Sequence, residues 1–239
     1  DRATHPFMKT DKATIMGWEQ TSSGYAAVWA TENTREAIFD AMQRKEVYAT
    51  TGPRIIVRFY GGFDFEAKDG QNRLPAKIGY TKGVPMGGDL SNAPKGKSPT
   101  FLVAALKDPI GANLDRYQVI KGWLDAKGQL HEKIYDVAWS AGRKPDPKTG
   151  KLTSVGNTVD VENATWTNTI GAPELIAVWS DPEFDPAQRA FYYGRVIEIP
   201  TPRWTAYDAK YFGVKMPKEV PMTTTERAYT SPIWYTPGK

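Results

Sequence analysis

This 239-residue sequence predicts a mainly β fold with a small α/β part at its N-terminal end, and three observations carry that reading. The 21 Gly and 18 Pro are spread along the chain, which calls for many turns between short strands. Seven runs between residues 54 and 199 are rich in β-branched and aromatic residues and are bounded by turn signals. Apolar residues recur at helical spacing after Asn33, and no long amphipathic helix follows among the strands.

Taken in order, residues 1–17 are polar with little periodicity and read as an irregular lead-in. The apolar run 24–30 (GYAAVWA) suits a buried strand or loop. Asn33 followed by Glu36 resembles a capping box, and Ile38, Ala41 and Met42 continue it as a helix of about three turns. The helix should end near Lys45 and Glu46, because residues 47–51 (VYATT) favour a strand and Gly52-Pro53 forces a turn. Next, Ile55, Val57 and Phe59 alternate with Ile56, Arg58 and Tyr60, and Gly61-Gly62 closes the strand. The full strand set is 54–60, 100–107, 114–124, 131–139, 157–161, 174–179 and 190–199, which together read as an antiparallel β-sandwich. Asp125-Ala126-Lys127-Gly128 is the best hairpin turn. The stretch 200–239 holds six prolines and is expected to wrap over the rest, pinned by Trp204, Tyr207, Tyr229, Trp234 and Tyr235.

Composition bounds the function. Hydrophobic residues at 40% and aromatics at 12% belong to a folded protein. The net charge of +4 is too small and too dispersed to argue for nucleic acid. The chain contains no Cys, which excludes disulfides, thiolate nucleophiles and Cys-ligated metal sites, and leaves periplasm and cytoplasm both open. No apolar run approaches the roughly 18 residues of a membrane span, and the first residues are no signal peptide.

Residues 24–54 (GYAAVWATENTREAIFDAMQRKEVYATTGPR), with VRFYGG, LVAALKDP, QVIKGW and SPIWY further on, carry a resemblance. The chain is similar to a bacterial family of unknown function numbered 3604, a branch of the PHP (polymerase and histidinol phosphatase) metal-dependent hydrolases. The similarity covers nearly all of the chain and places it at the family's C-terminal end. The resemblance therefore implies a C-terminal fragment: residues 1–53 as the last strand-helix-strand of a PHP barrel, 54–199 as a β-sandwich-like domain, and 200–239 as the packed tail. It implies an N-terminal PHP region whose His-x-His, Asp and His residues hold two or three divalent metals (Mn, Zn or Fe) that activate water against a phosphoester or related ester. On this reading the chain binds no cofactor alone and is inactive alone. Its implied partners are the missing PHP region and, through subunit contacts, a second copy.

Candidate site residues follow. Thr50-Thr51-Gly52-Pro53-Arg54 lies at a turn that could sit near the barrel mouth, where Arg54 offers a bidentate contact to a phosphate or carboxylate and Thr50 and Thr51 add hydroxyls. The plain alternative is a turn followed by a surface strand. His5 is a candidate to face the same site. Arg35 is unfavourable in a helix's first turn, so it should pair with a carboxylate such as Glu32 or point at something acidic. With only His5 and His131 in the chain, a complete multi-metal site cannot be built, and His131 reads as a solvated or hydrogen-bonded strand residue. Asp181 to Asp185 (DPEFD) lacks the Gly and distal Glu of an EF-hand and reads as a capped surface turn. No phosphate-binding loop or nucleophile elbow is present. The competing function is an aromatic-rich sandwich that binds a glycan or protein through exposed Trp and Tyr.

Overall fold

The computed structural model describes residues 3–140 and 142–238. In chain order the elements are β1 (Pro6–Lys9), β2 (Thr14–Met16), β3 (Tyr25–Val28), α1 (Arg35–Gln43), β4 (Val47–Thr50), β5 (Ile56–Gly62), α2 (Pro75–Lys82), β6 (Gly83–Pro85), β7 (Asp89–Ser91) and β8 (Thr100–Leu106). They continue with β9 (Leu114–Leu124), β10 (Leu130–Trp139), β11 (Glu174–Ser180), β12 (Ala190–Glu198), β13 (Thr201–Pro202), α3 (Trp204–Phe212), β14 (Thr223–Thr224), β15 (Arg227–Thr230) and β16 (Ile233–Thr236). The protein is mainly β, as expected, and its sheets are antiparallel apart from one parallel pairing of β16 with β7. Among the described residues no helix is long and apolar enough to cross a membrane.

The largest sheet has eight strands and runs β10-β9-β12-β15-β4-β3, with β16 pairing the first half of β12 and carrying β7. A four-stranded sheet runs β11-β8-β5-β6. One core joins the two: Val57, Phe59, Phe101, Val103 and Leu175 from the smaller sheet pack with Tyr117, Val119, Tyr192, Val196, Ala228 and Ile233 from the larger. Strand β12 shows why. Its residues alternate strictly, and Ala190, Tyr192, Gly194, Val196 and Glu198 all turn inward.

Gly194 is required where it stands. A Cβ there would lie 2.3 Å from the Tyr117 hydroxyl, and Tyr117 is fully buried. Gly194→Ala is therefore expected to destabilise the fold by about 1–3 kcal/mol through overpacking, read as a lower urea midpoint. An unchanged midpoint would show that Tyr117 has room to move.

Several expectations need correction. The helix α1 starts one residue later than read: Thr34, not Asn33, is the N-cap, its Oγ1 accepting the Ala37 N–H at 3.3 Å. Its buried face is Ala37 and Ala41, while Met42 is exposed, because small side chains let the helix lie close to the sheet. Strand β3 and strand β4 flank the helix as expected, but they pair antiparallel, Tyr25 opposite Thr50, whereas consecutive strands of a barrel run parallel. A strand-helix-strand has the same local signals either way. Here β15, itself antiparallel to β4, sets the geometry from about 180 residues downstream.

The run 157–161 forms no strand; Asp160 makes only an isolated bridge to Thr165, and its carboxylate instead accepts the backbone and side-chain N–H groups of Asn163. Residues 6–16 form the β1-β2 hairpin rather than an irregular lead-in. The stretch from residue 200 does more than wrap. It contributes β15 between β12 and β4, and it contains α3, stopped by Gly213 in the left-handed region (φ 63°). Helix α2 went unread because it is short, carries an interior Gly79 and shows no apolar stripe. The expected turn between β9 and β10 is present, with the Gly128 N–H donating to the Asp125 carbonyl at 2.9 Å.

Candidate functional site

The Thr50–Arg54 segment carries the chain from β4 in one sheet to β5 in the other, so its residues lie at the rim where the two sheets part. Thr51 is held on both sides. Its N–H donates to the Arg227 carbonyl, the Arg227 N–H donates to its Oγ1, both at 2.9 Å, and its hydroxyl donates to the Glu226 carboxylate. Thr50 is only 6% exposed and its Oγ1 has no hydrogen-bond partner among the described residues. Gly24 makes this rim possible, since a Cβ there would sit 2.0 Å from the Thr50 carbonyl oxygen.

Arg54 is fixed at its backbone and free at its head. Its N–H donates to Asp108 Oδ2 at 2.7 Å, and the other Asp108 oxygen accepts the Ile110 N–H at 3.1 Å. The guanidinium is exposed, lies 5.8 Å from the Tyr25 ring centroid and forms no ion pair with a described residue. Arg54, Thr50, Asp108, Tyr25, Tyr48 and Ile110 line a cleft of about 560 Å³.

Thr50 is shared with a second cleft of about 670 Å³, which Thr51, Trp204, Glu226 and Arg227 also line. That cleft in turn shares Thr21, Ser22 and Trp204 with a third, of about 480 Å³, that contains His5. Of the five candidates read from the sequence, His5, Thr50, Thr51 and Arg54 thus lie along linked clefts. Arg35 does not. It sits on α1 beside Ile38, Phe39 and Met42, and forms no ion pair with Glu32 or any other described residue. An exposed pair at a helix end gains little against the cost of ordering two long side chains.

Sequence reasoning missed Glu198. It ends β12 on the inward face, is 1% exposed, and its Oε1 lacks a hydrogen-bond partner among the described residues. Burial above all, then the nearby Glu226 and Asp108 carboxylates, pushes its pKa up to about 8, with Lys107 opposing weakly. Lys107 is already engaged, donating to the carbonyls of Asp108 and Gly111 at 2.8 and 2.9 Å. The period-two pattern from Ala190 was the signal that could have found Glu198.

Two further readings are settled by their surroundings. His131 bonds Asp125 at 2.8 Å and stacks on Trp123, as a hydrogen-bonded strand residue should. Asp181 is not at the surface. It is buried, ion-paired to Lys121 at 2.6 Å, and accepts the Tyr192 hydroxyl at 2.7 Å.

Among the described residues no three His, Asp or Glu side chains group as metal ligands. The nearest acidic set behind the rim does not fit a cation: Asp108 is committed to two backbone N–H groups, Glu226 to Thr51, and Glu198 holds its proton to about pH 8. What the clefts offer instead is hydroxyl groups, aromatic rings and exposed guanidinium groups.

Comparison with curated proteins and with solved structures returned no match. A family model described as "Protein of unknown function (DUF3604)" matches residues 1–237. Spanning almost the whole chain, that match shows that this protein belongs to the DUF3604 family.

Proposed function

We propose that this chain is the C-terminal portion of a PHP-type metal-dependent hydrolase, in which Arg54 and its cleft face a phosphoester or related ester substrate. Family membership and the resemblance of residues 24–54 support the assignment. The observation that carries the site is the Arg54 guanidinium, exposed beside a cleft with no ion pair to a described residue, while its backbone N–H is held by Asp108. A guanidinium gives a phosphoryl group two parallel N–H donors, and the Asp108 clamp on the Arg54 backbone fixes the point from which the side chain reaches into the cleft. In this reading the divalent metals belong to a preceding region of the same protein, and the present chain is silent alone.

The test is recombination. Phosphatase and phosphodiesterase assays with Mn²⁺, Zn²⁺ or Fe²⁺ are run on this chain, on the PHP region and on the two mixed. Turnover only in the mixture is expected. Arg54→Ala should then lower kcat/KM on the order of tenfold to a hundredfold, with partial recovery in Arg54→Lys. Turnover by this chain alone, or a mixture that binds metal and hydrolyses no ester, would defeat the reading.

A further inference from the structure

The outward face of the eight-stranded sheet is apolar at one end, where a sheet with one face on the core should be polar. We infer that two copies of this chain associate through that end, face to face about a two-fold axis. The surface shares no lining residue with the Arg54 cleft, and the inference does not depend on hydrolysis.

Strand register defines the face. Lys121, Tyr192 and Tyr235 turn inward and are buried, so Ile120, Gly122, Phe191, Tyr193 and Trp234 turn the other way. Phe191 is opposite Gly122 on one side and Trp234 on the other, and Gly122 is opposite Glu132. These four residues thus form one row across β16, β12, β9 and β10. Tyr193, Ile120 and Ile134 form the row beside it. Beyond them the row Arg195, Gln118 and Asp136 is polar and closed on itself: Arg195 Nε donates to Gln118 Oε1 at 2.8 Å, and Gln118 Nε2 to Asp136 Oδ1 at 2.7 Å.

The apolar rows have no such closure. Of the eight Trp, Trp234 is the exposed one, at 46%, and Leu130 (85%) and Ile134 (46%) are exposed on the same face. Gly122 leaves room for the Phe191 ring to lie over β9, since a Cβ there would sit 2.3 Å from Phe191 Cζ. Leu124, Leu130, Phe191 and Trp234 line one open cleft of about 590 Å³. An antiparallel sheet that packs on one side ordinarily keeps its other side polar, and a contiguous exposed apolar patch marks an interaction surface.

Charge says what covers it. Glu132 and Arg189 line the same cleft, both are exposed, and neither side chain forms an ion pair with a described residue. Glu132 stands on β10 and Arg189 just before β12, with β9 between those strands. A two-fold axis running along β9 exchanges the places of β10 and β12, so Glu132 of each copy meets Arg189 of the other. One acid and one base then supply two ion pairs, one on each side of the apolar centre. An acidic or a basic partner would satisfy one of these charges and be repelled by the other.

The experiment is sedimentation equilibrium of the full chain, without metal or added ligand, at about 1 to about 200 µM protein. The mass is expected to rise from 26.6 kDa toward twice that value. Glu132→Arg alone and Arg189→Glu alone should each weaken the dimer about tenfold or more, since each turns two attractions into two repulsions. Mixed in equal amounts, these two variants should pair with each other at about wild-type affinity, because opposite charges then meet at both contacts. Leu130→Asp should weaken association about a hundredfold, as the lost apolar contact occurs twice. Should Leu130→Asp disturb β10, the two charge variants, exposed and without ion pairs in the fold, still decide. A mass of 26.6 kDa at every concentration, a dimer insensitive to the charge variants, or a mixture of them that stays monomeric would overturn the inference. Turnover is never read, so the recombination assay judges the hydrolase separately.

Discussion

Replacing Glu198 by glutamine is expected to remove a loss of folding stability that the wild-type chain suffers between about pH 4.5 and about pH 8. In the folded chain Glu198 is neutral up to about pH 8, whereas in the unfolded chain it ionises near its ordinary value of 4.5. Across that window the folded state binds one more proton than the unfolded state. Stability is therefore fully present below the unfolded pKa and is lost as pH rises through the folded one, at up to about 1.4 kcal/mol per pH unit. Glutamine keeps the size of the side chain and cannot ionise, so Glu198→Gln should match the wild type near pH 4 and exceed it at pH 9. Urea denaturation at a series of pH values measures this, and the difference between the two proteins cancels the other titrating groups. Curves that stay parallel from pH 4 to pH 9 would mean that Glu198 is not held neutral by its surroundings.

The second large effect lies at the opposite end of β12. Lys121 and Asp181 form a buried ion pair at 2.6 Å, their side chains 4% and 0% exposed. Each partner is further satisfied: Lys121 Nζ donates to the Glu183 carbonyl at 2.8 Å, while Asp181 accepts the Tyr192 hydroxyl at 2.7 Å and the Glu183 N–H at 2.9 Å. Asp181→Ala leaves an ammonium in the core with no counter-charge and should destabilise by about 3–5 kcal/mol. Lys121→Met leaves the carboxylate uncompensated and should cost a similar amount. The double variant Lys121→Met/Asp181→Leu removes both charges and fills the space, so it should recover most of the loss. A double-mutant cycle by urea denaturation at pH 7 reads the coupling directly. Strictly additive losses would show that the two charges do not support one another. In that case the DPEFD stretch would be held by its turn bonds alone.

These two sites also show where local sequence is informative. The inward position of Glu198 is written in the alternation that starts at Ala190, because side-chain period two needs nothing beyond the strand itself. The same logic located β9 at 114–124 and the Asp125–Gly128 turn, where neighbours along the chain are also neighbours in space. The burial of Asp181 could not be read, because Lys121, its partner, lies 60 residues earlier, on β9. A capped turn looks the same in sequence whether it faces water or a core.

By itself the amino-acid sequence determined the mainly β character, the long strands, among them β5, β8, β9, β10, β11 and β12, the kinship of residues 24–54, and the turn from Thr50 to Arg54. These depend on propensity, period and punctuation over a few residues. Tertiary structure decided the rest. It placed β15 between β12 and β4, set β3 antiparallel to β4, and drew Ser22, Thr50, Asn157, Trp204 and Arg227 around one cleft. Each of those outcomes is a pairing between residues far apart in the chain. Which strand edges meet is governed by the shared burial of Val57, Tyr192, Val196 and Ala228 in one core, a free energy that no short stretch carries alone.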